Sequence, residues 1–326
     1  MNKSRLKFLF WIFFNVIIFL FLSSFLDRSM FSVEIDGFYS QVSSFDAGNN
    51  QSNSLSYMHR VRYIIAYPFF FIKENNMSNT LEHILFVIYC LPVFFTKAPY
   101  RIRNISVLIL YLSLIFSYRS VLVMIAVYML IMNIRYGYGG VKKRVFLISF
   151  GYSLLSSGSF LLCFFLVFFF KKKYIKSKSK RKYLNIVVIM LVSVLAGSIF
   201  HKLLFFLNPY EYGSADDITI EAIKKISIED IVKIFYVMVE RSLLFEAIMN
   251  EDYLRVSIVV IELLLIIFLT LYSKQKVIKT IFILLLVSLL FEGLMTYSLL
   301  FSIIVLFYDF LYKSVKRTKY ETRNIY

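Results

Sequence analysis

Several polar residues of this chain stand where chemistry is the first explanation to test, because they interrupt long apolar runs. Arg119 is the sharpest case, lying in IFSYRSVLVMIAVYML within the apolar stretch from Asn104 to Asn133. A charge in that setting costs on the order of 2.5–3.5 kcal/mol even on a lenient insertion scale. A guanidinium facing an aqueous cavity would recover that cost by holding phosphate through several hydrogen bonds. The alternatives are snorkelling to headgroups and a structural pair with Glu292. Glu292 is the complementary group, a lone carboxylate between apolar residues in LLFEGLM, suited to general acid or base work or to pairing with an arginine.

Weaker candidates flank these two. Glu34, Asp36 and Tyr39 in SVEIDGFYSQV can bind sugar hydroxyls or take a proton from an acceptor, or form a solvated loop. Arg60 and Arg62 in MHRVRY suit an anionic ligand or lipid phosphate, and Glu240 and Arg241 in VMVERSLLF suit a ligand or a solvated helix face. Ser156, Ser157, Gly158 and Ser159 form a small hydroxyl-rich turn that can admit a sugar or simply reverse the chain. Cys90 and Cys163 lie in apolar runs, and His59, His83 and His201 lack metal-ligand spacing, so no metal or other cofactor is expected.

The elements that must position these groups are membrane helices. Of the 326 residues 59% are hydrophobic and 19% aromatic, and mean hydropathy is +0.72; an average soluble domain is about 45–50% apolar. The net charge of +17 would suit nucleic acid, yet it is confined to short clusters between apolar runs, which excludes a nucleic-acid surface. The clusters are Asn2 to Lys7, Lys97 to Arg103, Arg135 to Arg144, Lys171 to Lys182, Lys274 to Lys279 and Lys313 to Lys319. By the positive-inside rule all six face the cytoplasm, with both termini.

Keeping every cluster on one side imposes a layout. Phe8 to Phe25 leads outward, residues 26–60 form an external loop, and Val61 to Ile72 is too short to span, so it reads as interfacial or re-entrant. Asn104 to Asn133 and Val145 to Phe170 must each rise and return as short hairpins, with Arg119 and the Ser157–Ser159 turn at their tips. A third hairpin runs from Lys279 to Lys313 around Glu292. The expectation is an all-α, single-domain, polytopic membrane protein of 10 crossings, or of eight if the first two hairpins are single tilted helices.

Residues 201–253 carry ten acidic against five basic residues, unlike every inside loop, and form a second external segment. Ser227 followed by Asp230 resembles a capping box, and Ile231, Ile234, Phe235, Met238 and Leu243 give one apolar face. An amphipathic helix lying on the outer surface is expected there.

With Asp36 and Tyr39 after the first crossing, Arg119 followed by Ser120, the SSGSF hairpin and the long external segment, the chain resembles the O-antigen and capsular polysaccharide polymerases of the Wzy type. The likeness covers Asp36 to Phe170 locally and the rest by layout. It implies a glycosyltransferase on the periplasmic face of the bacterial inner membrane. Such an enzyme moves the growing chain from undecaprenyl pyrophosphate to an incoming lipid-linked oligosaccharide, with a chain-length regulator as a further partner. Arg119, helped by Arg62 or Arg241, would stabilise the leaving pyrophosphate, and Glu292 or Asp36 would deprotonate the acceptor. Related hairpins often carry a histidine where Ser157 to Ser159 stand. A lipid-linked oligosaccharide flippase is the alternative, although no internal repeat is evident.

Overall fold

The computed structural model describes residues 3–26, 57–75, 77–136, 143–174, 229, 232, 247–273, 275–288 and 293–323. The described residues are helical, with no strand among them. Helix α1 spans Lys3–Phe25, α2 Tyr57–Glu74, α3 Asn79–Phe94, α4 Tyr100–Ile105, α5 Leu108–Leu112 and α6 Tyr118–Tyr136. The order continues with α7 Lys143–Ser153, α8 Ser157–Tyr174, α9 Tyr253–Tyr272, α10 Lys276–Ser288 and α11 Gly293–Arg323.

Four segments are long and apolar enough to cross a membrane: Arg5–Phe25, Tyr118–Tyr136, Tyr253–Tyr272 and Thr296–Val315. Asn79–Phe94 and Gly158–Phe168 are shorter apolar helices. The four differ in what surrounds them. α6 is 83% buried, against 28% for α1 and 22% for α9, so α6 is the central rod and the other two lie at the periphery. α1 turns Phe10, Phe13 and Phe21 outward and α9 turns out Ile261, Leu264 and Leu271, all more than half exposed. Apolar surface on this scale is at home in hydrocarbon and not in water.

The stretch from Asn104 to Asn133 is a hairpin. Arg101, in α4, and Arg135, near the end of α6, both bond the carboxylate of Asp309, so the chain between them goes out and comes back. Its rising arm is the broken pair α4–α5, and its turn is Ser113–Ser117, just before the residues expected at the tip. Tyr118 and Arg119 therefore open the returning helix. Midway, the Ser106 hydroxyl pairs with the Tyr128 hydroxyl across the two arms. Val145 to Phe170 is likewise split, into α7 and α8, with Phe150 edge-on to Phe160. Between α10 and α11, Ser288 meets Thr296.

Helix α2 is longer than the apolar run Val61 to Ile72 and lies antiparallel to α3. Phe69 packs on both Tyr89 and Tyr118, and the Tyr89 hydroxyl donates to the Ile65 carbonyl.

One ionic cluster fastens the end of the bundle opposite the hairpin tips. Asp309 of α11 is fully buried, and its Oδ1 accepts from Arg101 at 2.7 Å. Its Oδ2 accepts from Arg135 at 2.6 Å, the Tyr136 hydroxyl at 2.8 Å and Lys313 at 2.9 Å. Arg103 brings in α1 by lying over the rings of Phe8 and Tyr100. The cluster thus ties α1, α4, α6 and α11 together at one level.

Breaking a buried ion pair from one side typically costs about 3–5 kcal/mol, because the partner charges remain. Asp309→Asn is therefore expected to lower the thermal unfolding midpoint of the detergent-solubilised protein sharply. Lys313→Gln, on the half-exposed side of the cluster, costs no more than about 1 kcal/mol. Equal losses in the two variants would refute the central place of Asp309.

Candidate functional site: two arginines at a recessed hairpin tip

The site forms where α7 stops. With only 11 residues, α7 is about 16 Å long, roughly half the hydrocarbon thickness. Its tip lies level with the first turn of α6. The chain reverses through Leu154, Leu155 and Ser156, where turn bonds run from Leu155 N–H to the Tyr152 carbonyl and from Ser156 N–H to the Ser153 carbonyl. Beyond the helix end, the carbonyls of Leu154 and Leu155 need partners from elsewhere.

Two arginines supply them. Arg62 Nε, from the second turn of α2, donates to the Leu154 carbonyl at 2.7 Å. Arg119 Nε, from the first turn of α6, donates to the Leu155 carbonyl at 3.0 Å. Arg62 is only 8% exposed. Adjacent carbonyls thus hold guanidiniums from two different helices close together, 57 positions apart in the chain. The carbonyls carry the partial negative charge of a helix C-terminus but no formal charge.

Two helix starts add to the positive field. Ser117 caps α6, its Oγ accepting from Ser120 N–H at 3.2 Å and lying 3.1 Å from the Ser120 hydroxyl. Ser156 caps α8 in the same way, its Oγ accepting from Ser159 N–H at 3.3 Å. Ser117, Ser120, Ser153, Ser156 and Ser159 are all buried. Capped N-termini carry the positive end of the helix dipole, where anions bind.

Aromatic packing holds the site in place. Tyr152 stacks on Tyr89 and donates its hydroxyl to the Tyr89 carbonyl at 2.9 Å, pinning α7 to α3. Tyr118 stacks on Phe86 and places its hydroxyl 2.8 Å from His83 Nδ1. His83 in turn meets Phe19 of α1, and α1 continues about 9 Å beyond Phe19 to its end at Phe25. The arginine level is recessed by that distance from the end of α1.

The structure thus brings Arg62, Arg119 and Ser159 to one hairpin tip. Arg60 lies in the first turn of α2 and Ser157 opens α8, both described by backbone alone. Asp36, Tyr39, Glu240, Arg241 and Glu292 lie outside the described residues, as does nearly all of the amphipathic helix expected before Met249.

Three polar residues that the sequence did not mark as site candidates are prominent. His83 is buried beside Tyr118. Asp309 anchors the opposite end. Glu262 sits midway along α9, fully buried, and neither carboxylate oxygen has a hydrogen-bond partner among the described residues. α9 packs on α10 and α11, away from the arginines. The signal that singled out Glu292, a lone carboxylate in an apolar run, applies equally to Glu262 in IVVIELLLIIF.

No family model, curated protein or solved structure matches the chain.

Because Arg62 and Arg119 share one two-residue turn, their contributions to stability should be coupled. Arg62→Met, Arg119→Met and the double variant, compared by unfolding in detergent, are expected to give a coupling of about 0.5–3 kcal/mol. Strictly additive losses would mean that the two guanidiniums act independently.

Proposed function

We propose that the protein is a polymerase of lipid-linked oligosaccharide repeats, a membrane glycosyltransferase of the O-antigen or capsule type. The observation that carries this reading is the convergence of Arg62 and Arg119 on the Leu154–Leu155 turn beside the capped starts of α6 and α8. Anchoring each guanidinium through Nε fixes the plane of its Nη fork before any ligand arrives. Preorganised donors of this kind stabilise charge as it develops.

The reaction is a displacement at the anomeric carbon of the growing chain. The bond from that carbon to the pyrophosphate oxygen of undecaprenyl pyrophosphate breaks, and the leaving oxygen gathers negative charge. Arg62 and Arg119 receive that charge. The acceptor hydroxyl of the incoming lipid-linked unit forms the new glycosidic bond and loses its proton to a carboxylate. Asp36 and Glu292 are the candidates for that base, with Arg60, Arg241, Glu240, Tyr39, Ser157 and Ser159 as further contacts for pyrophosphate and sugar.

An apolar groove of about 590 Å³ lies beside the site between α2 and α3, bounded by Tyr67, Phe71 and Ile72 on one side and Leu81, Ile84 and Ile88 on the other.

In this reading the Asp309 end faces the cytoplasm of a bacterial inner membrane. The start of α1 and the later part of α11, each near a basic cluster of the sequence, both lie at that end. Counting the short hairpin arms as passes, with α2 re-entrant and the apolar run Tyr183 to Phe200, outside the described residues, as one more, gives 10 crossings. The arms of α7 and α8 leave the tip inside the slab and open toward the periplasm, where a chain-length regulator would meet residues 26–60 and 201–253.

The other reading is a flippase for the same lipid-linked units, and Glu262 favours it. A buried carboxyl within a candidate membrane span is the kind of group that carries a proton or cargo contact in transporters. The two readings separate in a deletion strain. Loss of long surface chains with single repeats still exported supports the polymerase, and loss of the single repeat as well supports the flippase.

Within the polymerase reading, Arg119→Ala is expected to reduce polymerisation on the order of 10²–10³-fold while the protein still inserts. The surface polysaccharide ladder and a membrane-fraction immunoblot read the two quantities. Normal chain length in that variant removes Arg119 from the mechanism.

A further inference from the structure

At the end of the bundle opposite the arginine turn, charge is out of balance. Arg101, Arg135 and Lys313 surround one carboxylate, that of Asp309, and Arg103 lies two residues beyond Arg101 on the same short helix. Asp309 is already saturated, with one donor on Oδ1 and three on Oδ2. The cations are not. Arg101 Nε, Arg103 Nε and Arg135 Nη1 are buried N–H donors with no acceptor among the described residues, and the Arg135 side chain is 93% buried. The Asn104 carbonyl oxygen nearby in sequence is also unpaired.

The position of the cluster narrows what can supply the missing acceptors. It lies where the candidate spans Tyr118–Tyr136 and Thr296–Val315 end, and where α1 begins, as Arg103 over Phe8 marks. That is the level of the headgroups for helices of this length. Arg101 is about a quarter exposed and Lys313 half exposed, so the cluster opens outward on the side that those two line. Arg101 is also held over the Tyr312 ring, 4.3 Å from its centroid, which fixes its fork at the rim. Planar, oriented guanidiniums beside a mobile ammonium are a recognition set for phosphate oxygens.

We propose that this notch between α4, α6 and α11 binds a phosphate group, with Arg101 and Lys313 at its mouth and Arg135 at its base. The anion meets the exposed edges of Arg101 and Lys313 and balances the excess charge that Asp309 leaves. A basic pocket between helices at this level suits the phosphate of an anionic lipid headgroup, and free phosphate offers the same oxygens.

The test uses the full chain purified in mild detergent. Native mass spectrometry measures retention of phosphatidylglycerol against phosphatidylcholine, and thermal unfolding with and without millimolar inorganic phosphate forms the second arm. Retained phosphatidylglycerol should fall about fivefold for each cation removed in Lys313→Gln and in Arg101→Gln with Lys313→Gln, with phosphatidylcholine unaffected. That outcome assigns the notch to a lipid headgroup. Stabilisation by inorganic phosphate that the same variants lose, without lipid selectivity, assigns it to free phosphate. If neither ligand distinguishes wild type from Lys313→Gln, which keeps the Asp309 pairs to both arginines, the proposal is overturned and the cluster is a structural lock alone.

Discussion

A helix that stops inside hydrocarbon has no water to meet its last carbonyl groups, and each one left alone costs several kcal/mol. The turn at Leu154 and Leu155 ends the 11-residue α7 among buried side chains, and its two carbonyls face the same need. Much of the end of the bundle opposite Asp309 answers that requirement. Arg62 must lie on α2, Arg119 must open α6, and the tyrosine pair Tyr89–Tyr152 must hold the turn where both can reach it. The same two bonds concentrate two positive charges at one place. Satisfying the backbone and gathering two guanidiniums are here a single act.

The Asp309 cluster makes that arrangement reproducible. It collects the start of α1, the short α4, the end of α6 and the middle of α11 at a common level, and so sets the heights of the hairpin tips. Between the two ends, packing is apolar and dense around α6, whose residues from Val121 to Met132 are all buried. A helix buried on every side presents no preferred apolar face, so it depends on polar contacts at its ends to fix its rotation. Ser117 and Tyr118 at one end and Arg135 and Tyr136 at the other provide them.

How much of this could be read from the sequence follows from the range of each interaction. The rising and returning of Asn104 to Asn133 was legible because basic clusters at both ends demanded it, and Arg119 was legible because a charge in an apolar run is costly. The turn itself was displaced by a few residues, since Ser113–Ser117 and Tyr118 are equally permissive of reversal. That Arg62 and Arg119 meet was not legible, because the carbonyls joining them belong to residues 92 and 36 positions further along the chain. Asp309 was hidden for the same reason: Arg101 and Arg135 lie 208 and 174 positions before it. Glu262 differs, because its isolation in α9 was visible in one dimension and simply passed over in favour of Glu292.

The length of α6 has a mechanical meaning. From Arg119 to Arg135 it is a rigid rod of about 24 Å, clamped to a salt-bridged anchor at one end and bearing a charged group on a two-residue turn at the other. Pivoting such a rod by roughly 2° about its anchor sweeps the far end through about 1 Å, a displacement large enough to spoil alignment at a reacting centre. The molecule is therefore a lever whose fulcrum lies most of a bilayer's hydrocarbon thickness away from the far end of its arm.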